Sequence, residues 1–124
     1  ASAALEAFRR GADLVYLHIE APDEAGHQGD TGLKVRAIEE IDRQVLGPLL
    51  SGMEEFGGFR LLLLPDHPTP LAVMTHTSEP VPFVIYDPDA LQQNPGKLYC
   101  EEDAAGGVFI EQGDQLMDLF VRGR

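Results

Sequence analysis

A nearly continuous apolar run lies near the start of the chain, where the sequence reads Asp13-Leu-Val-Tyr-Leu-His-Ile-Glu20. The run is rich in residues that favour strands and shows no clear alternation of apolar and polar residues, which is typical of a strand covered on both faces in a parallel sheet. It ends at Ala21-Pro22, and a polar, Gly-rich loop follows over residues 23–32. We therefore expect the first buried strand of a largely parallel sheet over residues 13–20.

The rest of the chain alternates between helical and strand-like patterns. Apolar residues recur at spacings of three and four from Thr31 to Phe56, which predicts an amphipathic helix that Gly47-Pro48 should kink or divide. The predicted elements are, in order, helix 1–10, strand 13–20, helix 31–56, strand 59–64, strand 81–86, a polar loop over 88–107 and helix 112–121. This order predicts an α/β fold in which ligands bind beyond the carboxyl ends of the strands.

Length and charge limit what the chain can do. Its 124 residues are enough for one compact domain, and 44% hydrophobic residues can supply a core. Nine basic residues against 21 acidic residues give a net charge of −12 at pH 7, which argues against nucleic-acid binding and against a polybasic membrane patch. The single cysteine, Cys100, cannot form an internal disulfide, so the sequence is compatible with a reducing compartment.

Two predicted loops, each following a predicted strand, hold three of the four histidines. The first loop contains Asp23 and His27, and the second contains the adjacent pair Asp66 and His67, with His76 nine residues later. Carboxylate and imidazole groups are the ligands that Zn²⁺, Mn²⁺ and related ions prefer. Neighbouring side chains at a strand end point in different directions, so the Asp66–His67 pair could serve two metal ions. These five residues are candidate metal ligands.

Other polar residues have simpler explanations. A lone loop histidine beside an aspartate is usually a surface hydrogen-bond pair, and this alternative stays open for each loop pair taken alone. His18 lies inside the first predicted strand, where we expect a hydrogen-bonded core histidine, or one that supports a ligand, rather than a ligand itself. Lys34, on the long helix, is expected to be a solvated or cap-proximal charge, and Cys100 a structural cysteine.

Several motifs in one order closely resemble the cofactor-independent phosphoglycerate mutases of the archaeal type, which belong to the alkaline phosphatase superfamily. The matching motifs are Leu14-Val-Tyr-Leu-His-Ile-Glu-Ala-Pro-Asp-Glu-Ala-Gly-His27, Asp66-His67 and His76-Thr-Ser-Glu-Pro-Val-Pro82, with further similarity over 34–42 and 109–120. The resemblance implies a partial three-layer α/β/α sandwich, alkaline-phosphatase-like, with a largely parallel sheet. It also implies two divalent metal ions, Mn, Mg or Zn, and no organic cofactor.

The resemblance assigns roles to the candidate ligands. In the pattern of the family, Asp23, His27 and His76 hold one ion, and Asp66 and His67 supply part of the shell of the other. The implied enzyme is a cytoplasmic, glycolytic isomerase that interconverts 3-phosphoglycerate and 2-phosphoglycerate through a serine that carries the phosphoryl group. The implied partner is therefore a small phosphorylated substrate.

The family pattern also places essential parts upstream of the stretch matched here. These parts are the nucleophilic serine, a further metal-binding aspartate and an inserted substrate-binding domain. The serines present are Ser2, Ser51 and Ser78, and none has a matching context. The chain also begins without Met. We therefore expect residues 1–124 to be the C-terminal portion of the metal-binding catalytic domain, inactive alone and able to self-associate through its exposed sheet.

Two alternatives stay open at this point. One is another enzyme of the alkaline phosphatase superfamily, such as a phosphohydrolase or a phosphonate-processing enzyme, because such enzymes share metal ligands and differ in the parts that recognise the substrate. The other is a non-catalytic metal-binding domain that works alone. An upstream coding region that supplies an aspartate and a strand–serine–helix element would favour the mutase over the stand-alone domain.

Overall fold

A computed structural model describes residues 1–88 and 96–122 and shows a mixed helix and strand protein. The chain forms two compact units. The first contains Ala1–Gly57 and Thr69–Thr77, and the second contains Gly58–Pro68 and Ser78–Arg124. Among the described residues, no helix combines the length and the apolar character that crossing a membrane requires.

The first unit is helical. Its elements are α1 (Ser2–Arg9), α2 (Ala21–His27), α3 (Thr31–Ile41), a π-helical turn (Asp42–Leu46), α4 (Gly47–Met53) and a 3₁₀ turn (Glu54–Phe56). The predicted break at Gly47-Pro48 is confirmed, because the long helix becomes π-helical just before it. Proline cannot donate the backbone hydrogen bond that a regular α-helix needs at that position.

The N-terminal cap of α3 follows from its sequence. The side chain of Asp30 accepts a hydrogen bond from the backbone N–H of Leu33 at 2.8 Å, which satisfies one of the free donors of the first turn. Helices α1 and α4 pack together, and Ala4 and Met53 are buried. The ring of Phe8, on α1, lies 5.8 Å from that of Phe56, in the 3₁₀ turn after α4. This packing forms the apolar core of the first unit.

Helix α2 replaces part of the predicted loop over residues 23–32. Pro22 stands in the first turn, and Asp23 and Glu24 follow it there. Proline is already fixed at a helical φ, and acidic side chains interact favourably with the positive end of the helix dipole. These start signals prevail over the glycines that indicated a loop.

The predicted strand over residues 13–20 is not present. Residues 14–20 form no regular secondary structure, and Leu14, Tyr16, Leu17 and Ile19 are exposed, Tyr16 to 81%. The rings of Tyr16 and His18 stack, with centroids 6.3 Å apart. An apolar pattern identifies side chains that favour burial, but a strand forms only where another strand pairs with its backbone groups.

The second unit contains the short sheet. Its elements are β1 (Leu61–Leu63), β2 (Val84–Tyr86), α5 (Glu101–Ala104) and α6 (Gln115–Arg122). The strands predicted over 59–64 and 81–86 and the helix over 112–121 are thus confirmed in shorter or shifted form. Part of the predicted 88–107 loop, residues 89–95, lies outside the described residues, and the described remainder contains α5.

The strand pair is antiparallel. Leu61 faces Tyr86, Leu62 faces Ile85 and Leu63 faces Val84. The predicted parallel sheet and three-layer sandwich are therefore not confirmed, because an unalternating apolar run indicates burial without fixing the direction of the partner strand.

Arg60 links the parts of the second unit. Its Nε donates to Asp87 Oδ2 at 2.7 Å, and one of its terminal nitrogens donates to the Phe120 carbonyl at 3.0 Å. One guanidinium thus joins the segment before β1 to the residue after β2 and to α6, which its planar fork of donors permits.

The second unit should lose stability at high pH through Tyr99. Partial burial raises the pKa of Tyr99, which is 47% exposed, from 10.0 to about 12, and the negative charge of Glu101 acts in the same direction. The hydroxyl also donates to the Pro82 carbonyl at 3.1 Å. Because the folded-state pKa is the higher one, the stabilisation is complete below pH 10 and is lost as the pH rises towards about 12.

Thermal unfolding of Tyr99→Phe and of the unsubstituted chain, measured from pH 9 upwards, checks this expectation. The melting temperature of the unsubstituted chain should fall more steeply with pH than that of Tyr99→Phe. Parallel curves for the two proteins would contradict the assignment.

The exposed apolar segment over residues 14–19 predicts self-association. Contiguous apolar surface in water favours contact with another such surface, whereas the net charge of −12 opposes it. Light scattering at near-physiological salt, which screens the charge, should show mass rising with concentration. The double substitution Leu14→Ser, Tyr16→Ser should reduce this rise, and Val108→Ser, which removes an exposed apolar side chain elsewhere, should not. A monomer at all concentrations would contradict the prediction.

Candidate metal centre

Helix α2 places two candidate ligands on one face. Asp23 and His27 are one helical turn apart, and Asp23 Oδ2 lies 3.3 Å from His27 Nε2. The helix ends directly after His27: the Gly29 N–H donates to the Gly26 carbonyl and the Asp30 N–H to the Ala25 carbonyl, with Gly29 at φ +67°. This Schellman pattern requires the left-handed conformation that glycine adopts without cost.

His76 comes from the segment Thr69–Thr77 of the same unit and completes a cluster. Its Nε2 lies 3.1 Å from His27 Nε2 and 3.3 Å from Asp23 Oδ1. The two imidazole rings are 5.0 Å apart between centroids. The side chains of Asp23, His27 and His76 are 33%, 39% and 52% exposed, so the cluster lies near the surface of its unit.

The distances within this cluster match those between ligand atoms on one metal ion. Nitrogen and oxygen ligands about 2.0–2.1 Å from a tetrahedral Zn²⁺ are about 3.3 Å from one another, and octahedral ligands at the same bond length are about 3.0 Å apart. The distances that join His27 Nε2, His76 Nε2 and the two Asp23 oxygens are 3.1 to 3.3 Å. Two imidazoles and one carboxylate can therefore hold a divalent cation here.

The tautomer of His27 that its hydrogen bond selects is also suited to metal binding. His27 Nδ1 lies 3.0 Å from the Met74 carbonyl, which can only accept a hydrogen bond. In the neutral ring the proton therefore sits on Nδ1, which leaves the Nε2 lone pair facing His76 and Asp23. Metal-binding histidines commonly donate a hydrogen bond to a backbone carbonyl from the ring nitrogen that does not bind the metal. Met74 supplies this carbonyl from a φ of +55°, a conformation uncommon for a residue other than glycine.

Asp66 and His67 belong to the second unit, where they follow β1. Their side chains lie together, with His67 Nε2 3.3 Å from Asp66 Oδ2, and the His67 N–H donates to Asp66 Oδ1 at 3.1 Å. They do not point apart as neighbours in a strand would, since both residues lie in a bend beyond the end of the strand.

Sequence reasoning missed three residues around the cluster: Lys34, Thr69 and Met74. Thr69 is buried and its hydroxyl donates to Asp23 Oδ1 at 2.5 Å, and Lys34 donates to the Thr69 carbonyl at 2.6 Å. Lys34, expected to be a solvated or cap-proximal charge, lies near the start of α3 and is hydrogen-bonded to Thr69 rather than fully solvated. His18, expected to be buried, is exposed and lies 3.7 Å from Glu20. Contacts between residues 35 or 46 positions apart leave no mark in the sequence pattern.

Comparison with known proteins agrees with this chemistry. Residues 1–119 match the Metalloenzyme superfamily, and the chain belongs to that superfamily, whose membership implies divalent metal ions. No solved structure matches the chain.

The matching relatives compared here are named as phosphoglycerate mutases. The chain is 48% identical over 121 residues to a probable 2,3-bisphosphoglycerate-independent phosphoglycerate mutase of Geobacter sulfurreducens, covering 97% of this chain and 30% of the relative. It is 51% identical over 122 residues to a 2,3-bisphosphoglycerate-independent phosphoglycerate mutase of Methanothermobacter thermautotrophicus, covering 98% of this chain and 29% of the relative. It is 46% identical over 122 residues to the phosphoglycerate mutase of Methanothrix thermoacetophila, covering 98% of this chain and 31% of the relative.

These relatives confirm the resemblance predicted from the motifs. They also differ from the chain in length, since the chain spans about 30% of each of these relatives.

Proposed function

We propose that this chain forms the metal-binding part of a 2,3-bisphosphoglycerate-independent phosphoglycerate mutase, a cytoplasmic isomerase of glycolysis that interconverts 3-phosphoglycerate and 2-phosphoglycerate. The observation that carries the proposal is the close approach of Asp23, His27 and His76, at 3.1 to 3.3 Å between donor atoms. The superfamily match and the mutase relatives support the same function. Another enzyme of the superfamily, such as a phosphohydrolase or a phosphonate-processing enzyme, is not favoured, because the relatives compared above are named as mutases.

Asp23, His27 and His76 would hold one ion, and Asp66 and His67 would contribute to a second. A set of two imidazoles and one carboxylate favours Mn²⁺ or Zn²⁺ over Mg²⁺, which prefers oxygen ligands. Divalent ions so bound would neutralise the charge on phosphoryl oxygens and make a hydroxyl a better nucleophile.

The chain's own residues prepare this site. The Met74 carbonyl holds the proton of His27 on Nδ1, so that Nε2 keeps its lone pair. The Asp23 carboxylate supplies a negative charge between the two imidazoles. The partial exposure of all three side chains leaves room for a phosphorylated substrate to approach. Ser2, Ser51 and Ser78 stand in contexts unlike that of the nucleophile in the family, so we propose that the 124-residue chain alone is inactive.

Calorimetric titration with Mn²⁺ and with Zn²⁺ tests the metal site directly. The unsubstituted chain should bind, and His27→Ala and His76→Ala should each weaken binding by at least about tenfold, because each removes one of three donors, and tenfold corresponds to about 1.4 kcal/mol. His18→Ala is the matched control, since His18 is an exposed histidine of the same unit that contacts Glu20 instead. Its affinity should be unchanged.

Metal should also stabilise the fold. Binding to the folded state alone adds about 2.7 kcal/mol at a free concentration one hundred times Kd. The melting temperature should therefore rise with excess Mn²⁺ or Zn²⁺ in the unsubstituted chain and in His18→Ala. A melting temperature that excess metal does not move would contradict the site.

A chimaera tests the reaction. The matched 121-residue stretch of the Geobacter sulfurreducens relative is replaced by this chain, and interconversion of the two phosphoglycerates is measured. The chimaera should be active, and His27→Ala within it should lower kcat/KM by more than about 100-fold, because even changes to the outer partners of a metal ligand cost about 10–100-fold. His18→Ala should leave the rate unchanged. A chimaera that folds and binds metal but does not interconvert the phosphoglycerates would contradict the mutase function.

A further inference from the structure

The hydroxyl and the backbone carbonyl of Thr69 each form a hydrogen bond with a neighbouring helix of the first unit. Only 4% of the residue is exposed, and its hydroxyl donates to Asp23 Oδ1, on α2, at 2.5 Å. Its backbone carbonyl accepts a hydrogen bond from Lys34 Nζ, on α3, at 2.6 Å. One buried residue thus connects the helix that carries Asp23 and His27 to the helix that follows it.

Gly26 allows this close approach. A Cβ on Gly26 would lie 2.7 Å from the Thr69 carbonyl oxygen, 2.9 Å from Thr69 Cγ2 and 3.0 Å from Lys34 Nζ. The first of these atoms belongs to the backbone, so it cannot rotate away as a flexible side chain would. Residues three and four apart share a helix face, so the face that presents Asp23 and His27 is the one that packs on Thr69.

The hydroxyl of Thr69 fixes the orientation of the Asp23 carboxylate. At 2.5 Å its hydrogen bond has the length of a charge-assisted O–H···O⁻ bond, which is about twice as strong as a neutral one. The bond holds Oδ1, the oxygen that faces His76, and thereby also sets where Oδ2 meets His27. A carboxylate held in this way loses little rotational freedom when a cation binds.

We propose that Thr69 is a positioning residue for the metal centre, and that Lys34 and the absence of a side chain at Gly26 hold it in place. The inference rests on the proposed function, because it assigns Thr69 a role in presenting Asp23 to a divalent cation. It adds to the site three residues that do not themselves bind the ion.

A pair of substitutions at position 69 separates the hydroxyl from the shape of the side chain. Thr69→Val keeps the branched shape and removes the donor, whereas Thr69→Ser keeps the donor. Titration with Mn²⁺ should show affinity about 10–100-fold weaker for Thr69→Val and nearly unchanged for Thr69→Ser, which is the usual range for a hydrogen-bond partner of a metal ligand. The visible absorption spectrum of bound Co²⁺ should change in Thr69→Val alone, which a purely structural role would not produce.

Two further comparisons test the residues that hold Thr69. Gly26→Ala should weaken Mn²⁺ binding, whereas Gly32→Ala should not, because a Cβ on Gly32 meets only Asp30 Oδ1 at an ordinary 3.5 Å. Lys34→Met should weaken binding, whereas Arg36→Met, which removes one positive charge from an exposed position of the same helix, should not. If Thr69→Val does not fold, equal affinities for Lys34→Met and Arg36→Met overturn the positioning role of Thr69 as well.

The possible results distinguish this inference from the proposed function. Absence of Mn²⁺ binding by the unsubstituted chain overturns both. Binding by the unsubstituted chain, with equal affinity and an equal Co²⁺ spectrum in Thr69→Val, overturns the positioning role alone. Equal affinities for Lys34→Met and Arg36→Met overturn the role of Lys34.

Discussion

The contact between Gly26 and the backbone of Thr69 joins two stretches of chain that lie more than forty residues apart in the sequence. Because a Cβ at Gly26 would overlap the Thr69 carbonyl oxygen, only glycine permits helix α2 to pack this closely. The same contact places the segment Thr69–Thr77, which contains His76, beside the face of α2 that bears Asp23 and His27. The geometry of the Asp23–His27–His76 cluster therefore depends on the contact between Gly26 and the backbone of Thr69, in which none of the three cluster residues takes part.

Two members of the cluster, His27 and Asp23, are oriented by neighbours that are not themselves candidate ligands. The Met74 carbonyl selects the tautomer of His27, and the Thr69 hydroxyl fixes the Asp23 carboxylate. Because these hydrogen bonds already hold the His27 ring and the Asp23 carboxylate, the two side chains lose little conformational freedom when a cation binds. The unusual positive φ of Met74 is consistent with this role, since strained backbone is retained where the surrounding structure requires it.

Residue chemistry marked candidate ligands, whereas it left much of the fold open. Imidazole and carboxylate side chains marked five candidate metal ligands, the family resemblance grouped Asp23, His27 and His76 among them, and these three side chains lie close together in the structure. The helix that presents Asp23 and His27 was not predicted, because Gly26 and Gly29 indicated a loop although Pro22 and the acids after it favour a helix start. The apolar run after Asp13 indicated burial, but a strand needs a pairing partner that composition does not specify. Thr69 and Lys34 act through contacts distant in sequence, which no local pattern records.

The most direct test of the account is the position of a bound ion. Crystals of the chain grown with Mn²⁺, with diffraction recorded at the manganese absorption edge, would locate the ion from its anomalous scattering. We predict an anomalous peak about 2.0–2.3 Å from Nε2 of both His27 and His76, from an ion that also binds the carboxylate of Asp23. A well-ordered Asp23–His27–His76 cluster with no anomalous peak, or with manganese bound only elsewhere on the chain, would contradict it.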